Sequence, residues 1–479
     1  MRIYFLLIIL LSFSFTSFAQ KAKIEVEIKG GANDTVFLVH HFDKKFIVDD
    51  TLKLNNQGKA TIKSDTLLKE GLYALYLPSK KSIDFIIGDK QNIKIYTSKT
   101  NPRKDFKIVG SKQTEIFNEY VKLISSRSPK IRALHSKLKE ARTKKQSTKA
   151  IEEEIKKVDN EVINFMNKTI NDNKGTFLAL FLESTAPPAK MPDFEKQVPK
   201  NVKDRKMKVW RKRYEFQRDH FINTKSLSDE RILRTPTFKD KLDAYFNKVI
   251  IQVPDTVCVE IDKFVAHAKS SDRVYRYVLQ FIMNNCLRSK IMGMEKAFMH
   301  VAQKYFLSNP KYWNDQKFIK KIAERAMHYR YNLIGMKAKN LTLDTPDGEK
   351  VSMHQIESEY TVLLFWEPDC GHCKTSTPKL YNEVFLNFED KGVTFYAVYI
   401  QNKPKEWLEF IKKHSLDGWI NCYDKNNITG FKLYYNVETT PVIYLLDKDK
   451  KIIAKNISVD TLKEILEERI NKKKKITKS

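Results

Sequence analysis

The stretch FWEPDCGHCKTSTPKL, residues 365–380, sets Cys370 and Cys373 around Gly371 and His372 and follows them with Pro378. Two thiols at this spacing can form a dithiol/disulfide couple, half of a zinc site, or a haem anchor. A structural zinc site needs four ligands, and the remaining cysteines, Cys258, Cys286 and Cys422, supply no second pair at that spacing. Covalent haem attachment needs a histidine straight after the second cysteine, where Lys374 stands. No metal is expected, and redox chemistry remains. If Cys370 lies where a strand hands the chain to a helix, unpaired N–H groups and the helix field favour its thiolate and make it the attacking group. Cys373, one turn on, would then attack the mixed disulfide and release the product. A protonated His372 would favour the reduced pair, Gly371 keeps the approach open, and Pro378 is expected to kink the helix.

Such a junction has to be built by the flanking elements. TVLLFW (361–366) reads as a buried strand, 373–388 as a helix and VTFYAVYI (393–400) as a second buried strand. An amphipathic helix is expected over 405–414, a strand over 441–448, its hairpin partner over 450–456 and a last helix over 460–470. This alternation implies a central sheet with crossover helices. Upstream, residues 23–109 run in short alternating apolar stretches divided by turns, which predicts an antiparallel β-sandwich or barrel. His40 and His41 are neighbours on one such strand, point to opposite faces and cannot form a metal pair from it. From 111 to 333 the pattern is helical and charged, with Ile151, Ile155, Val158, Val162 and Phe165 on one stripe. Cys258 and Cys286 read as structural residues, and Cys422, in the strand-like GWINCYD, reads as core with a third redox thiol as the alternative.

The chain has 479 residues, 42% hydrophobic and 11% aromatic, a globular composition long enough for several domains. Its first residues, MRIYFLLIILLSFSFTSFAQ, read as a secretory signal peptide cleaved after Ala19, so the mature protein is expected in the periplasm, soluble and without a transmembrane span. The formal charge of +29 raises the question of nucleic acid. No zinc finger, RNP motif or helix-turn-helix accompanies it, so a solvated basic face is expected and no nucleic-acid partner. The organisation expected is a signal peptide at 1–19, a β-rich accessory domain at 20–110, a helical accessory domain at 111–333, an α/β domain at 334–471 and a basic tail at 472–479.

FWEPDCGHCKTSTP resembles the active-site segment of the thioredoxin superfamily, especially its exported TlpA-like and ResA-like thiol-disulfide oxidoreductases, and CGHC is the pair found in protein disulfide isomerases. Pro378 matches the family's helix proline. ETTPVIYLLD supplies Thr440-Pro441, which resembles the cis-proline that faces the disulfide. The resemblance covers about 334–471, and the upstream regions are similar to accessory modules of large Bacteroidetes-type members. It implies a C-terminal thioredoxin fold and no cofactor beyond a redox-active Cys370–Cys373 disulfide. It further implies substrate contacts at Thr439, Thr440 and Pro441, with Trp366 beside them. The implied partners are exported proteins or peptides bearing thiols or disulfides, and a redox partner. Departures mark this chain: Leu364 stands where many thioredoxins have a buried carboxylate, Ser376 where many ResA-like proteins have glutamate, and Asp369 where tryptophan is common. Glu367 is then the candidate acid-base group, against a plain solvent-facing loop carboxylate. A thiol peroxidase is the alternative activity, although Glu367 occupies the position where peroxiredoxins want threonine. A third reading is a binding protein whose basic helical region captures acidic peptides or glycans, with a secondary redox domain.

Overall fold

A computed structural model describes residues 21–476. The segment read as a signal peptide lies outside the described residues. The chain is multidomain and packs as two compact units. One runs to Ile250 and takes in Ala266–Tyr275, and the other holds Ile251–Val265 and continues from Arg276. The helices between 111 and 333 are thus shared between the two.

The first unit opens with eight strands: β1 Ala22–Lys29, β2 Thr35–Phe42, β3 Lys45–Lys53, β4 Lys59–Ser64, β5 Gly71–Tyr76, β6 Ser82–Ile87, β7 Asn92–Ser98 and β8 Lys107–Val109. They form two four-stranded sheets, ordered β4-β1-β7-β8 and β3-β2-β5-β6. Period-two alternation puts Ile24, Val26 and Ile28 of β1 on one face, where they meet Leu38, Leu75 and Phe85 of the other sheet in one apolar core. Pairing is not antiparallel throughout, as expected above. The chain crosses the second sheet before returning as β7, which lies parallel to β1. His40 bonds Asp49 at 2.6 Å and His41 bonds Asp84 at 2.9 Å, each on its own partner. Two long helices follow, α1 Lys112–Thr143 and α2 Lys149–Asp172. On α2 the apolar stripe is inward-facing, with Val158 buried and Ile151, Ile155, Val162 and Phe165 half-buried.

In the second unit, α3 Glu295–Val301 and α4 Gln316–Tyr329 precede a seven-stranded sheet. Its strands are β9 Thr342–Asp344, β10 Lys350–Ser352, β11 Tyr360–Trp366, β12 Val393–Tyr399, β13 Ile420–Tyr423, β14 Val442–Asp447 and β15 Ile452–Lys455, in the order β10-β9-β13-β12-β11-β14-β15. β11 lies parallel to β12 and antiparallel to β14. Every residue of β11 is buried because both faces are covered. Val362, Leu364 and Trp366 join one core with Cys373, Trp407 and Leu462, whereas Leu363 and Phe365 join the opposite core with Phe431 and Tyr435. The first core is roofed by α5 Gly371–Leu380, α6 Pro404–Lys413 and α7 Val459–Ile476. The helix expected over 373–388 is present, helical from Gly371 to Phe388, with a π turn at Tyr381–Phe385 between α5 and one last helical turn. The last helix runs on to Ile476, through lysines expected in a frayed tail. Among the described residues no helix is long and apolar enough to cross a membrane.

Candidate active site

β11 ends at Trp366 because Pro368 has no N–H to give to a ladder. The chain then turns, and Cys370 becomes the residue that caps the start of α5, with extended backbone at φ −71° and ψ 124°. Its side chain is half-buried, whereas Cys373, one turn into the helix, is fully buried, and both are free thiols. The loop before β14 closes over the pair from the other side. There the Thr440–Pro441 peptide is cis, and the Thr440 carbonyl accepts from Cys370 Sγ at 3.2 Å.

The two sulfurs have opposite acidities. Partial burial pushes the Cys370 thiol up. The polar groups of Thr440, Cys373 and His372 gathered around the sulfur outweigh that effect and hold Cys370 below the ordinary thiol value. Burial pushes Cys373 up to about 12, with only partial relief from the polar groups near it. One thiol is therefore poised to ionise at the surface, and the other holds its proton in the core.

The flanking carboxylates are both occupied. Glu367 is half-buried rather than solvent-facing: Oε1 accepts from the Thr440 hydroxyl at 2.6 Å and Oε2 from Gln401 Nε2 at 2.5 Å. Asp369 is exposed and pairs with Lys403 Nζ at 2.8 Å, which, ahead of a small opposing burial effect, holds its carboxyl below the usual range. Sequence reasoning missed Gln401 and Lys403. Both follow β12, whose parallel register sets Tyr399 opposite Trp366, so the residues just past the two strands emerge at one edge. Carboxyl ends of adjacent parallel strands are where such sheets gather functional groups, and that rule was the available signal.

The other sequence candidates fall as follows. His372 is exposed, and its carbonyl accepts from Ser376 Oγ at 2.6 Å and Thr375 Oγ1 at 3.0 Å. A side chain at Gly371 would meet open space within 4 Å. Pro378 lies inside α5, just before the π turn. Leu364 is fully buried in the same core as Cys373, so no carboxylate stands there. Trp366 corrects an expectation. It is fully buried, its ring 5.1 Å from Phe410 and 6.5 Å from Tyr399, so it supports the junction from within and does not face a substrate. Cys422 is fully buried with Sγ 3.6 Å from the Ala397 carbonyl, and burial also pushes up Cys286, to about 12, and Cys258, to about 11.

Comparison with known proteins finds relatives for this part of the chain. Residues 334–455 match the model of the AhpC/TSA family. Among curated proteins the chain is similar to the thiol-disulfide oxidoreductase ResA of Bacillus cereus, 28% identical over 132 residues that span 28% of this chain and 74% of the relative. ResA of Bacillus anthracis is 27% identical over the same shares. Among solved structures it is similar to a domain of a possible thiol-disulfide isomerase from Cytophaga hutchinsonii, 39% identical over 31% of this chain and 97% of that one, TM-score 0.28. A thioredoxin-like protein from Bacteroides caccae is 20% identical over 53% of this chain and 92% of that one, TM-score 0.42. The domain at residues 334–455 is thus a thioredoxin-like domain of the AhpC/TSA family, and the chain that carries it is an oxidoreductase of the ResA-like thiol-disulfide kind.

Proposed function

We propose that this protein exchanges disulfides with exported proteins or peptides in the periplasm, with Cys370 as the attacking sulfur and Cys373 as the resolving one. The observation that carries the reading is the opposed state of the two thiols, one surface-facing with its pKa lowered, the other fully buried with its pKa raised. Starting from the dithiol, the Cys370 thiolate attacks one sulfur of a substrate disulfide, forms a mixed disulfide and expels the other sulfur as a thiolate that takes up a proton. Cys373 then gives up its proton and attacks Cys370 Sγ. The mixed disulfide breaks, the second substrate thiolate leaves, and the enzyme is left oxidised by the two electrons its substrate gained. Thr439 is exposed beside the cis peptide, which suits it to pair with an extended substrate chain.

The test is a Cys373→Ser variant of the full chain incubated with oxidised insulin, beside the unaltered protein. Mixed disulfides through Cys370 are expected to accumulate on the variant, and insulin reduction is expected from the unaltered protein with dithiothreitol as reductant. No adduct on the variant and no reduction by the unaltered protein would overturn the reading.

A further inference from the structure

β6 closes one end of its sheet, with β5 as its neighbour there. Their antiparallel register pairs Leu75 with Ile83, and just beyond it the N–H of Leu77 donates to the Lys81 carbonyl at 2.9 Å. Alternation along such a pair turns the main-chain groups of Ile83 and Phe85 toward β5 and those of Ser82, Asp84 and Ile86 away from it. The start of α1 covers Ile86, whose N–H donates to Thr114 Oγ1 at 2.9 Å and whose carbonyl accepts from Ser111 Oγ at 3.1 Å. The outward N–H and carbonyl groups of Ser82 and Asp84 meet no hydrogen-bond partner among the described residues. Such an open edge offers donors and acceptors at the spacing of another extended main chain.

Cations surround that edge. Lys80, Lys81, Arg103 and Lys104 line a cavity of about 580 Å³ that Ser82 borders. Arg103 and Lys104 also line a second cavity, of about 270 Å³, to which Ile83, Phe106, Phe117 and Val121 give an apolar lining and Lys122 a further charge. None of these five cations pairs with a carboxylate among the described residues. Asp84, the carboxylate that borders the second cavity, is held by His41 Nε2 at 2.9 Å. The loop carrying Arg103 and Lys104 is fixed by hydrogen bonds of its own: Thr97 Oγ1 donates to the Pro102 carbonyl at 2.7 Å, and Ser98 Oγ accepts from the Asn101 N–H at 3.0 Å. The charges come from the β5–β6 turn, this loop and α1, so they flank Ser82 and Asp84 and leave their main chain open.

We infer that the free edge of β6 is a docking site for an extended acidic segment of another polypeptide, which adds as a further strand at Ser82 and Asp84. Its carboxylates face Lys80, Lys81, Arg103 and Lys104, and an apolar side chain between them enters the cavity lined by Phe106 and Phe117. A phosphate or a lipid headgroup would meet the cations but leave the main chain of Ser82 and Asp84 to solvent. A second copy of this edge would bring the same cations against their like. The inference goes beyond the exchange proposed above, and no step of that exchange uses these residues.

The test titrates the full-length protein with a heptapeptide of alternating glutamate and valine, acetylated and amidated at its ends, by isothermal titration calorimetry. Saturable binding is expected, and replacing the peptide's glutamates by lysine should abolish it. Lys80→Glu with Arg103→Glu should weaken binding about tenfold, through reversal of two contact charges. Lys206→Glu with Lys208→Glu, on the basic helix Arg205–His220, should leave it unchanged. Ser82→Pro removes an outward N–H, a place where an edge strand tolerates proline, and should weaken binding about tenfold. The same peptide N-methylated throughout should lose as much, which decides the strand geometry even if Ser82→Pro fails to fold. No saturable binding, or binding that Ser82→Pro and N-methylation both leave unchanged, would overturn strand docking. Vesicles of phosphatidylcholine with phosphatidylglycerol form the last arm. Capture on them that needs Lys80 and Arg103, without binding of the peptide, would overturn the inference in favour of a lipid surface.

Discussion

Asp369 stands immediately before the attacking sulfur, and alone its charge would oppose the Cys370 thiolate. Lys403 answers it from the loop after β12 at 2.8 Å, so the thiolate forms beside a paired carboxylate. Because Cys370 lies below the ordinary thiol value, its thiolate fraction, and with it the alkylation rate, rises with pH and levels off earlier than for a free cysteine. Lys403→Met exposes the Asp369 charge, should move that midpoint upward, and should slow iodoacetamide alkylation at pH 7 by about two- to fivefold, the range of an exposed pair. Asp369→Asn should move it downward. Thiolate absorbance near 240 nm checks both, and an unmoved midpoint in Lys403→Met would show that the pair does not reach the sulfur. The cysteines, Pro378 and Thr440-Pro441 were legible in the sequence because a short motif carries each. Lys403 and Gln401 were not, since strand register alone brings them to Asp369 and Glu367 across more than thirty residues.

At the scale of elements, β11 explains both what sequence patterning catches and what it misses. A strand covered on both faces reads as a continuous apolar run, and TVLLFW announced it. The same run does not say which residues reach the surface, and on that point Trp366 was misplaced. Its indole is fully buried beside Phe410 and Tyr399 and its Nε1 meets no hydrogen-bond partner among the described residues. Trp366→Ala should therefore cost about 3–5 kcal/mol of stability through lost burial and a cavity, read as a fall in the urea midpoint. Affinity for insulin, measured on whatever remains folded, should stay as it was. A stable variant with weakened insulin binding would restore Trp366 to the substrate side. Two other features had no sequence signature. Period-two alternation is the same for parallel and antiparallel neighbours, so the β1–β7 pairing was hidden, and the π turn after α5 is a change of hydrogen-bond spacing rather than of residue type.

At the scale of the molecule, the change from a helical to an alternating pattern, together with the resemblance, suggested that the C-terminal domain begins near residue 334, but the packing of the second unit runs across that line. Lys455, at the end of β15, has a side chain only 1% exposed. Its Nζ donates to Asn332 Oδ1 at 2.9 Å, lies 3.4 Å from Glu295 Oε1 on α3, and sits 5.1 Å from the ring centroid of Tyr329 on α4. Burial pushes this ammonium's pKa down and Glu295 partly restores it. No pattern in the sequence announces such a tie, because a lysine after an apolar strand reads as a solvated end. Breaking one side of a buried pair leaves the other charge without its partner, whereas removing both is close to neutral. Lys455→Met is therefore expected to destabilise the second unit by about 3 kcal/mol, with Glu295→Gln in the same chain recovering most of the loss. Four of the five tryptophans, Trp313, Trp366, Trp407 and Trp419, belong to this unit, so intrinsic fluorescence during urea unfolding follows it. A cost below about 1 kcal/mol, or no recovery in the double variant, would mean that the helices before residue 334 are held to the sheet by apolar packing alone and that the buried cation contributes nothing to joining them.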